Sequence, residues 1–174
     1  ANEDIKGSAK IVAVSGAGAR HFAVVDLTDA YPKILRRWMR GVELEDNEGL
    51  LMQDEVEADE PVEVVWNLHT PAKIEVAEDG RSAVLSQGGK KMEVNLLWPA
   101  GARFETAEAD MPPGVKSTVP SGSKKREVEK KLVVRLAGKV KEARVVVRMT
   151  PGGQKGKEGK IVPLEEWSKV AVVR

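Results

Sequence analysis

Two short turns separate three β-like segments in residues 73–98, which read KIEVAEDGRSAVLSQGGKKMEVNLLW. The turns are EDGR at 78–81 and QGGK at 87–90, and apolar and polar residues alternate on either side of each. Alternation with a period of two is typical of half-buried strands, and Asp-Gly or Gly-Gly between two such strands is a short-range hairpin signal. The stretch therefore predicts two successive β-hairpins.

Short β-branched runs, cut by Gly, Pro, Asn and Asp, continue along most of the chain, whereas long amphipathic windows are missing. The pattern predicts strands at 9–15, 20–27, 33–42, 50–57, 62–69, 73–77, 82–86, 90–98, 102–107, 128–137, 142–149 and 169–173. One open sheet of that size would leave too much apolar face uncovered. We therefore expect an all-β fold, a large antiparallel β-sandwich of two stacked sheets with about 11–13 strands.

The remaining segments fit a single domain over residues 1–174. Residues 163–167, PLEEW, predict one helical turn, with Pro at its first position and acids near its positive end. Residues 111–123 and 151–159 are rich in Pro and Gly and predict surface loops.

Composition narrows the class of protein. The chain has 174 residues, 28 Lys and Arg against 27 Asp and Glu, and no Cys. The near-neutral balance argues against a nucleic-acid partner, and no apolar run approaches the roughly 18 residues of a membrane span, so no membrane contact is expected. The lack of Cys excludes disulfides, thiol nucleophiles and Cys-ligated zinc.

Charge is unevenly distributed despite the small total. Residues 43–60 carry nine acids and no base, and residues 116–160 carry 14 bases against 4 acids. Charged hairpin tips and edge strands that block aggregation explain such runs, and so does a basic border beside a polyanion site. We favour the first interpretation.

The segment ILRRWMR at 34–40 is the most unusual predicted strand. A period of two places Arg36, Trp38 and Arg40 on one face, where guanidinium groups beside an aromatic ring suit a sugar carboxylate or sulfate and a pyranose ring. If 50–57 returns antiparallel, however, Asp54 falls opposite about residue 38, within reach of both arginines. An internal Arg–carboxylate ladder is then the leading alternative.

Two further residues are candidates for a site. His69 ends a predicted strand. A histidine there suits a metal ligand, a proton-transfer group or a hydrogen-bonded residue at the rim of the sheet, and we favour the last role. Tyr31 precedes Pro32 in a loop and suits a proton donor or, preferably, a packing lid. With only His21 and His69 and no Cys, we expect no metal site.

No phosphate-binding loop, zinc-binding H-E-x-x-H helix or G-x-S-x-G elbow occurs in the sequence. We therefore expect no cofactor and no catalytic residue within the chain.

The order of four segments resembles the C-terminal β-domain of heparinase II/III-like polysaccharide lyases. They are VVDLTDAY at 24–31, RRWMR at 36–40, LMQDEV at 51–56 and VVWNLH at 64–69. The resemblance implies an N-terminal α/α toroid followed by a large antiparallel β-sandwich, and cleavage of uronic-acid-containing polysaccharides by β-elimination. It covers about residues 20–70 and includes no catalytic signature.

Departures from the family are equally informative. The family's catalytic tyrosine and histidine lie largely in the toroid and the first part of the β-domain, where a His-x-His element, an aspartate and a later His-Asn element hold a structural zinc. The His-x-His and His-Asn elements do not occur in this sequence. The resemblance therefore transfers no catalytic residue and no zinc ligand to this chain.

The leading hypothesis is accordingly the distal, non-catalytic β-sandwich of a secreted or periplasmic polysaccharide lyase. Its expected partners are the toroid of the same chain and an anionic polysaccharide, with substrate contacts from Tyr31, Arg36, Trp38, Arg40 and His69. The alternative is a free-standing carbohydrate-binding or structural β-sandwich module, in which Trp38, Trp98 or Trp167 forms an exposed stacking platform.

Overall fold

The computed structural model describes residues 7–16, 21–45, 49–109, 130–152 and 159–170. Their regular elements are β1 (Lys10–Ser15), β2 (His21–Asp26), a 3-10 helix (Thr28–Ala30), β3 (Arg37–Glu45), β4 (Gly49–Val62), β5 (Val65–Thr70), β6 (Lys73–Val76), β7 (Ser82–Gln87), β8 (Lys90–Trp98), β9 (Phe104–Glu108), β10 (Lys130–Arg135), β11 (Val140–Pro151) and helix α1 (Leu164–Val170). None of the helices in these ranges is long and apolar enough to cross a membrane.

The strands form two antiparallel sheets that stack as a β-sandwich. The large sheet has the order β1-β2-β3-β4-β11-β8-β7-β6, and the small sheet has the order β5-β10-β9. Every ladder pair in both sheets is antiparallel. The predicted all-β sandwich is therefore confirmed, with eleven strands in the described residues.

Both predicted hairpins are present. The β6–β7 turn has Gly80 at φ 67°, and the β7–β8 turn has Gly88 and Gly89 at φ 58° and 76°. Backbone of this hand is open to glycine and strained for other residues. The turn glycines therefore set the register of these three strands.

The principal core lies between the two sheets. Its buried strand residues come from β5 and from β7–β11, and they are Trp66, Ala83, Leu85, Val94, Leu96, Phe104, Leu132, Val134, Val145, Val147 and Met149. Trp66 is 5% exposed, and its ring lies 6.4 Å from that of Phe104. In the sequence, a period of two places Val64, Trp66 and Leu68 on one apolar face and predicts a buried Trp66. This prediction is confirmed.

A second, smaller core lies on the outer face of the large sheet, under helix α1. Phe22, Val24 and Met39 of the sheet pack there against Leu164 and Trp167 of the helix. A Cβ atom at position 41 would collide with the same two helix side chains, which explains the glycine in mid-strand.

Several predicted strands have different bounds, and the strand predicted at 50–57 extends from Gly49 to Val62. The strand predicted at 33–42 begins only at Arg37, because the Ile34 and Leu35 amides both donate to the Tyr31 carbonyl at 3.0 Å and close a turn. The strand predicted at 169–173 is wrong for residues 169–170, which end helix α1, and residues 171–173 lie outside the described residues. The predicted turn at 163–167 is thus part of a longer helix.

The predicted loops fall mostly on parts of the chain that the structure does not describe. Residues 111–123 lie outside the described residues altogether, and so do residues 153–158 of the second loop. Strand β11 extends to Pro151, where the second predicted loop begins.

Candidate functional site

A groove lies where the small sheet ends above the large sheet. Edge strand β5 forms its wall, and β3 and β4 form its floor. A cavity of about 290 Å³ in it is lined by Tyr31, Trp38, Arg40, Asp54, Val56, Val64, Val65, Trp66, Asn67, His69, Ala143 and Val145. A neighbouring cavity of about 500 Å³ shares several of these residues and adds Ile34, Leu35, Pro61, Val62, Glu63 and Lys139. We call the two cavities together the β5 groove.

Four of the five predicted site residues line the β5 groove. Tyr31 lies in the turn before β3, Trp38 and Arg40 lie on β3, and His69 lies on β5. The sheet topology therefore brings together residues that are up to 38 positions apart in the sequence. Whether they bind a substrate stays a prediction.

Arg40 is the best-anchored cation of the groove. It lies directly opposite Asp54 in the β3–β4 ladder, and its Nε and Nη2 atoms donate to Oδ1 and Oδ2 at 2.8 and 2.9 Å. The Trp38 indole Nε1 also donates to Asp54 Oδ1, at 2.9 Å. Asp54 is 5% exposed, so this carboxylate is satisfied by side chains rather than by solvent.

Arg36 does not belong to this cluster. It precedes β3, its side chain is 57% exposed, and its Nη2 atom donates to Glu57 Oε2 at 2.7 Å. Arg37 Nη1 donates to Glu57 Oε1 at 3.1 Å. The expected row of Arg36, Trp38 and Arg40 on one face is therefore wrong, because the guanidinium groups of Arg36 and Arg37 both bind the Glu57 carboxylate.

These contacts identify the arginines as members of an internal ladder of ion pairs. The hydrogen bond from Arg36, with a further one from Arg37, holds the pKa of Glu57 below its usual value. On the outer face, Arg148 and Glu45 form a second bidentate pair, at 2.8 and 3.0 Å. The leading alternative from the sequence, an Arg–carboxylate ladder on Asp54, is present for Arg40, whereas Arg36 pairs with Glu57 instead.

Tyr31 packs on Trp38. Their ring centroids are 5.6 Å apart with an interplanar angle of 39°, and Arg40 Cζ lies 5.6 Å from the centroid of the Trp38 ring. Both aromatic residues are half-buried. The contact matches the packing-lid interpretation of Tyr31 and leaves part of both rings to line the groove.

His69 is an exposed residue at the end of the wall. It lies opposite Lys131 in the β5–β10 ladder, and Asn67 precedes it on the same side of the strand. Within the described ranges, no three His, Asp or Glu side chains are grouped as metal ligands are. The metal-free and cofactor-free expectations remain predictions.

Sequence patterns missed two features near the groove. Asn67 lines both cavities, and the alternation of β5 marks it only as a polar residue. Beneath the floor, Glu55 Oε1 accepts hydrogen bonds from Gln53 Nε2 at 2.9 Å, Arg144 Nε at 3.0 Å and the Leu164 amide at 3.1 Å. This buried network attaches α1 to the large sheet, and it joins residues that are 89 and 109 positions apart.

Solved structures of heparinase III and of a heparan sulfate lyase have the same fold. A heparinase III gene product matches with a TM-score of 0.63 and 15% identity, over 84% of this chain and 22% of that chain. The heparan sulfate lyase HepC from Pedobacter heparinus matches with a TM-score of 0.62 and 14% identity, over 86% and 23%. A second heparinase III structure matches with a TM-score of 0.60 and 12% identity, over 85% and 22%.

The resemblance seen in the sequence is therefore confirmed at the level of the fold, and far beyond residues 20–70. The chain spans less than a quarter of the length of these three structures. No protein-family model matches the sequence, and no curated protein matches it either.

Proposed function

We propose that the chain is the distal β-sandwich domain of a heparinase II/III-type polysaccharide lyase and is non-catalytic alone. The observation that carries the proposal is the fold match, which takes in more than four-fifths of this chain but less than a quarter of each lyase. In this proposal the chain supports an N-terminal toroid in a secreted or periplasmic protein, and the substrate of the whole protein is an anionic polysaccharide.

The chemistry of the β5 groove supports a non-catalytic role. β-Elimination needs a base for the C5 proton, an acid for the leaving oxygen and a cation that neutralises the uronate. Among the groove residues, Arg40 is already neutralised by Asp54, and Tyr31 is packed against Trp38. His69 is exposed on the wall, without a second His beside it in the groove lining. The proposal therefore assigns none of these three side chains to the chemistry of elimination.

A free-standing carbohydrate-binding module is the second candidate. The Tyr31–Trp38 pair in a groove of sugar size favours it. Of the three tryptophans predicted as alternatives for an exposed stacking platform, Trp167 is 1% exposed in the second core, Trp38 is half-buried in the groove and Trp98 is 45% exposed. In such a module, the sugar would bind in the β5 groove.

A truncation of the longer native protein tests the first proposal. Removing residues 1–174 should lower the midpoint of thermal unfolding and abolish turnover of heparan sulfate, and adding the purified chain back should restore part of the activity. Full activity after truncation would contradict the supporting role. Tight binding of heparan sulfate oligosaccharides by residues 1–174, lost in Trp38→Ala and kept in Trp98→Ala, would favour the module instead.

A further inference from the structure

The β10–β11 hairpin has positive charges without acids of its own. Residues 130–141 read KKLVVRLAGKVK, which includes five Lys or Arg and no Asp or Glu. On β10, Leu132 and Val134 are buried in the core between the sheets. Because side chains alternate along a strand, Lys131 and Arg135 lie on the opposite, outer face of the small sheet.

Few acids face these two cations. The other members of the outer face, given by the ladder registers of β10, are Val65, Asn67, His69, Val133, Glu105 and Ala107. Lys131 lies opposite His69 on one side and Ala107 on the other, so neither ladder gives it a carboxylate. Glu105 Oε2 lies 3.7 Å from Arg135 Nε, but both side chains are more than half exposed, and such an ion pair is weak.

Lys139 adds a third cation next to this face. It lies in the turn between β10 and β11 and lines the larger cavity of the β5 groove together with Val65 and Asn67. Glu63 is the one acid in that lining. Within the described ranges, neither Lys131 nor Lys139 forms an ion pair. Their positive charges are therefore directed to the solvent side of the small sheet.

We call Lys131, Arg135 and Lys139 the β10 strip. The first two are four residues apart on one strand, which separates their Cα atoms by about 13 Å. Asn67 lies between them on the neighbouring strand, is exposed and donates to the Val65 carbonyl at 3.4 Å. Its second N–H and its oxygen can bind a ligand. The strip therefore combines spaced positive charges with a neutral hydrogen-bonding group.

The β10 strip differs from the arginines at the start of β3. Arg40 is paired with Asp54 through two hydrogen bonds. Arg36 and Arg37 are both paired with Glu57. The charges of the strip, in contrast, are balanced by one weak pair, and such charges attract anions from solution. The strip is therefore the better place for an anionic ligand.

We propose that the β10 strip is a binding surface for a linear anionic polysaccharide, separate from the floor of the β5 groove. The guanidinium group of Arg135 and the ammonium groups of Lys131 and Lys139 would each bind a sulfate or carboxylate group, and Asn67 would bind a hydroxyl between them. The class of ligand rests on the proposed function, whereas the surface itself does not require lyase activity.

The composition of the outer face favours a polysaccharide over other polyanions. Its described members include no Trp, Tyr or Phe on which the bases of a nucleic acid could stack. They also form no patch of large exposed apolar side chains, which is typical of the centre of a protein–protein interface. Val133, in the middle of the face, is only 1% exposed. A hydrated chain with spaced anionic groups and hydroxyls fits such a face best.

Titration calorimetry of residues 1–174 with heparan sulfate oligosaccharides tests the proposal. Lys131→Glu/Lys139→Glu should raise the Kd at least about tenfold, because two attractive charges become repulsive. Lys90→Glu/Lys91→Glu is the matched control, since both lysines are exposed at the start of β8 and the net charge changes equally. The control should change the Kd less than about twofold.

Two further comparisons separate the loss of charge from a loss of fold. Lys131→Arg/Lys139→Arg keeps both charges and should bind within about threefold of the wild type. If the charge reversal does not fold, Lys131→Ala/Lys139→Ala against Lys90→Ala/Lys91→Ala gives the same test. Added salt should weaken binding by the wild type more than binding by the strip variants, because the screened charges are missing from those variants.

Four results would overturn the proposal. They are equal losses in the strip variant and its control, no binding by the wild type, tighter binding of duplex DNA than of the oligosaccharides, and binding that is lost in Trp38→Ala but kept in Lys131→Glu/Lys139→Glu. The last result would assign the glycan to the β5 groove.

Failure of this proposal is distinguishable from failure of the proposed function. Lyase turnover by the longer native protein, with equal effects of the two charge reversals, would contradict the β10 strip alone. Selective loss of binding in the strip variant, without turnover by the longer protein, would support the strip and contradict the lyase assignment.

Discussion

Arg40 and Asp54 face each other across β3 and β4 and form a bidentate ion pair, with both N···O distances below 3.0 Å. The same carboxylate accepts the indole N–H of Trp38. Asp54 therefore fixes both a cation and an aromatic ring of the groove floor, and the positive charge of Arg40 is balanced within the protein. This pair is the main reason to assign Arg40 and Asp54 a structural role before a role in binding.

Loss of Asp54 should destabilise the fold. Asp54→Ala removes three charge-assisted or polar hydrogen bonds and leaves Arg40 and the Trp38 Nε1 without their acceptor, at a cost of about 1–3 kcal/mol, reduced because Arg40 reaches solvent. Equilibrium urea unfolding measures this cost. Arg36→Ala, in an exposed ion pair worth about 0–1 kcal/mol, is the control, and an equal loss in both variants would contradict the importance of Asp54.

Truncation of Trp66 should be more costly still. Trp66→Ala empties a buried aromatic site between the sheets and should lower the free energy of unfolding by about 3–5 kcal/mol. Trp98→Ala is the matched control, because Trp98 is 45% exposed and its truncation should cost much less. If the two variants unfolded at the same urea concentration, the assigned core would be wrong.

One carboxylate oxygen contributes to the attachment of α1, beside the packing of Leu164 and Trp167. Glu55→Ala removes the acceptor of the Gln53, Arg144 and Leu164 donors, so we expect α1 to separate from the sheet and Trp167 to become exposed. A red shift and increased acrylamide quenching of tryptophan fluorescence would report this. The shift should be absent when Trp167 is first replaced by Phe, and smaller in Glu55→Gln, which keeps an acceptor.

Acid should weaken the Glu57 ion pairs. The Arg36 hydrogen bond, followed by that of Arg37, lowers the pKa of Glu57 in the folded protein below the usual 4.5. A lowered folded pKa means that the stabilisation is fully present above pH 4.5 and is lost as the pH falls through the folded pKa. The stability difference between wild type and Glu57→Gln should therefore shrink below pH 4.5. Glu60→Gln, exposed on the same strand, is the matched control for the removal of one carboxylate.

The sequence predicts the architecture well where alternation and turn residues act locally. The glycines at 80, 88 and 89 determine two hairpins, and the period of two in β5 places Trp66 in the core. Both signals depend on residues that are neighbours in the chain, so they can be recognised without knowledge of the tertiary structure. Local sequence patterns do not predict contacts between residues that lie far apart in the sequence.

Two features of the groove illustrate this limit: the register between β3 and β4, and the position of Arg36. Predicted strand ends at 42 and 50 placed Asp54 opposite residue 38, but β3 continues to Glu45 and β4 begins at Gly49, which places Asp54 opposite Arg40. Arg36 leaves the expected face because the turn at Tyr31 delays the start of β3. The network around Glu55 joins segments more than 85 residues apart, and no local pattern encodes it.

Lyase activity of the chain itself is the most direct test of the proposed role. Purified 1–174 and the longer native protein are incubated with heparan sulfate, heparin, alginate and hyaluronan, and the absorbance of the unsaturated uronate is followed. We predict turnover of at least one of these polysaccharides by the longer protein and none by 1–174. Turnover by 1–174 alone, or none by the longer protein on any of the four, would contradict its assignment as the non-catalytic sandwich of a polysaccharide lyase.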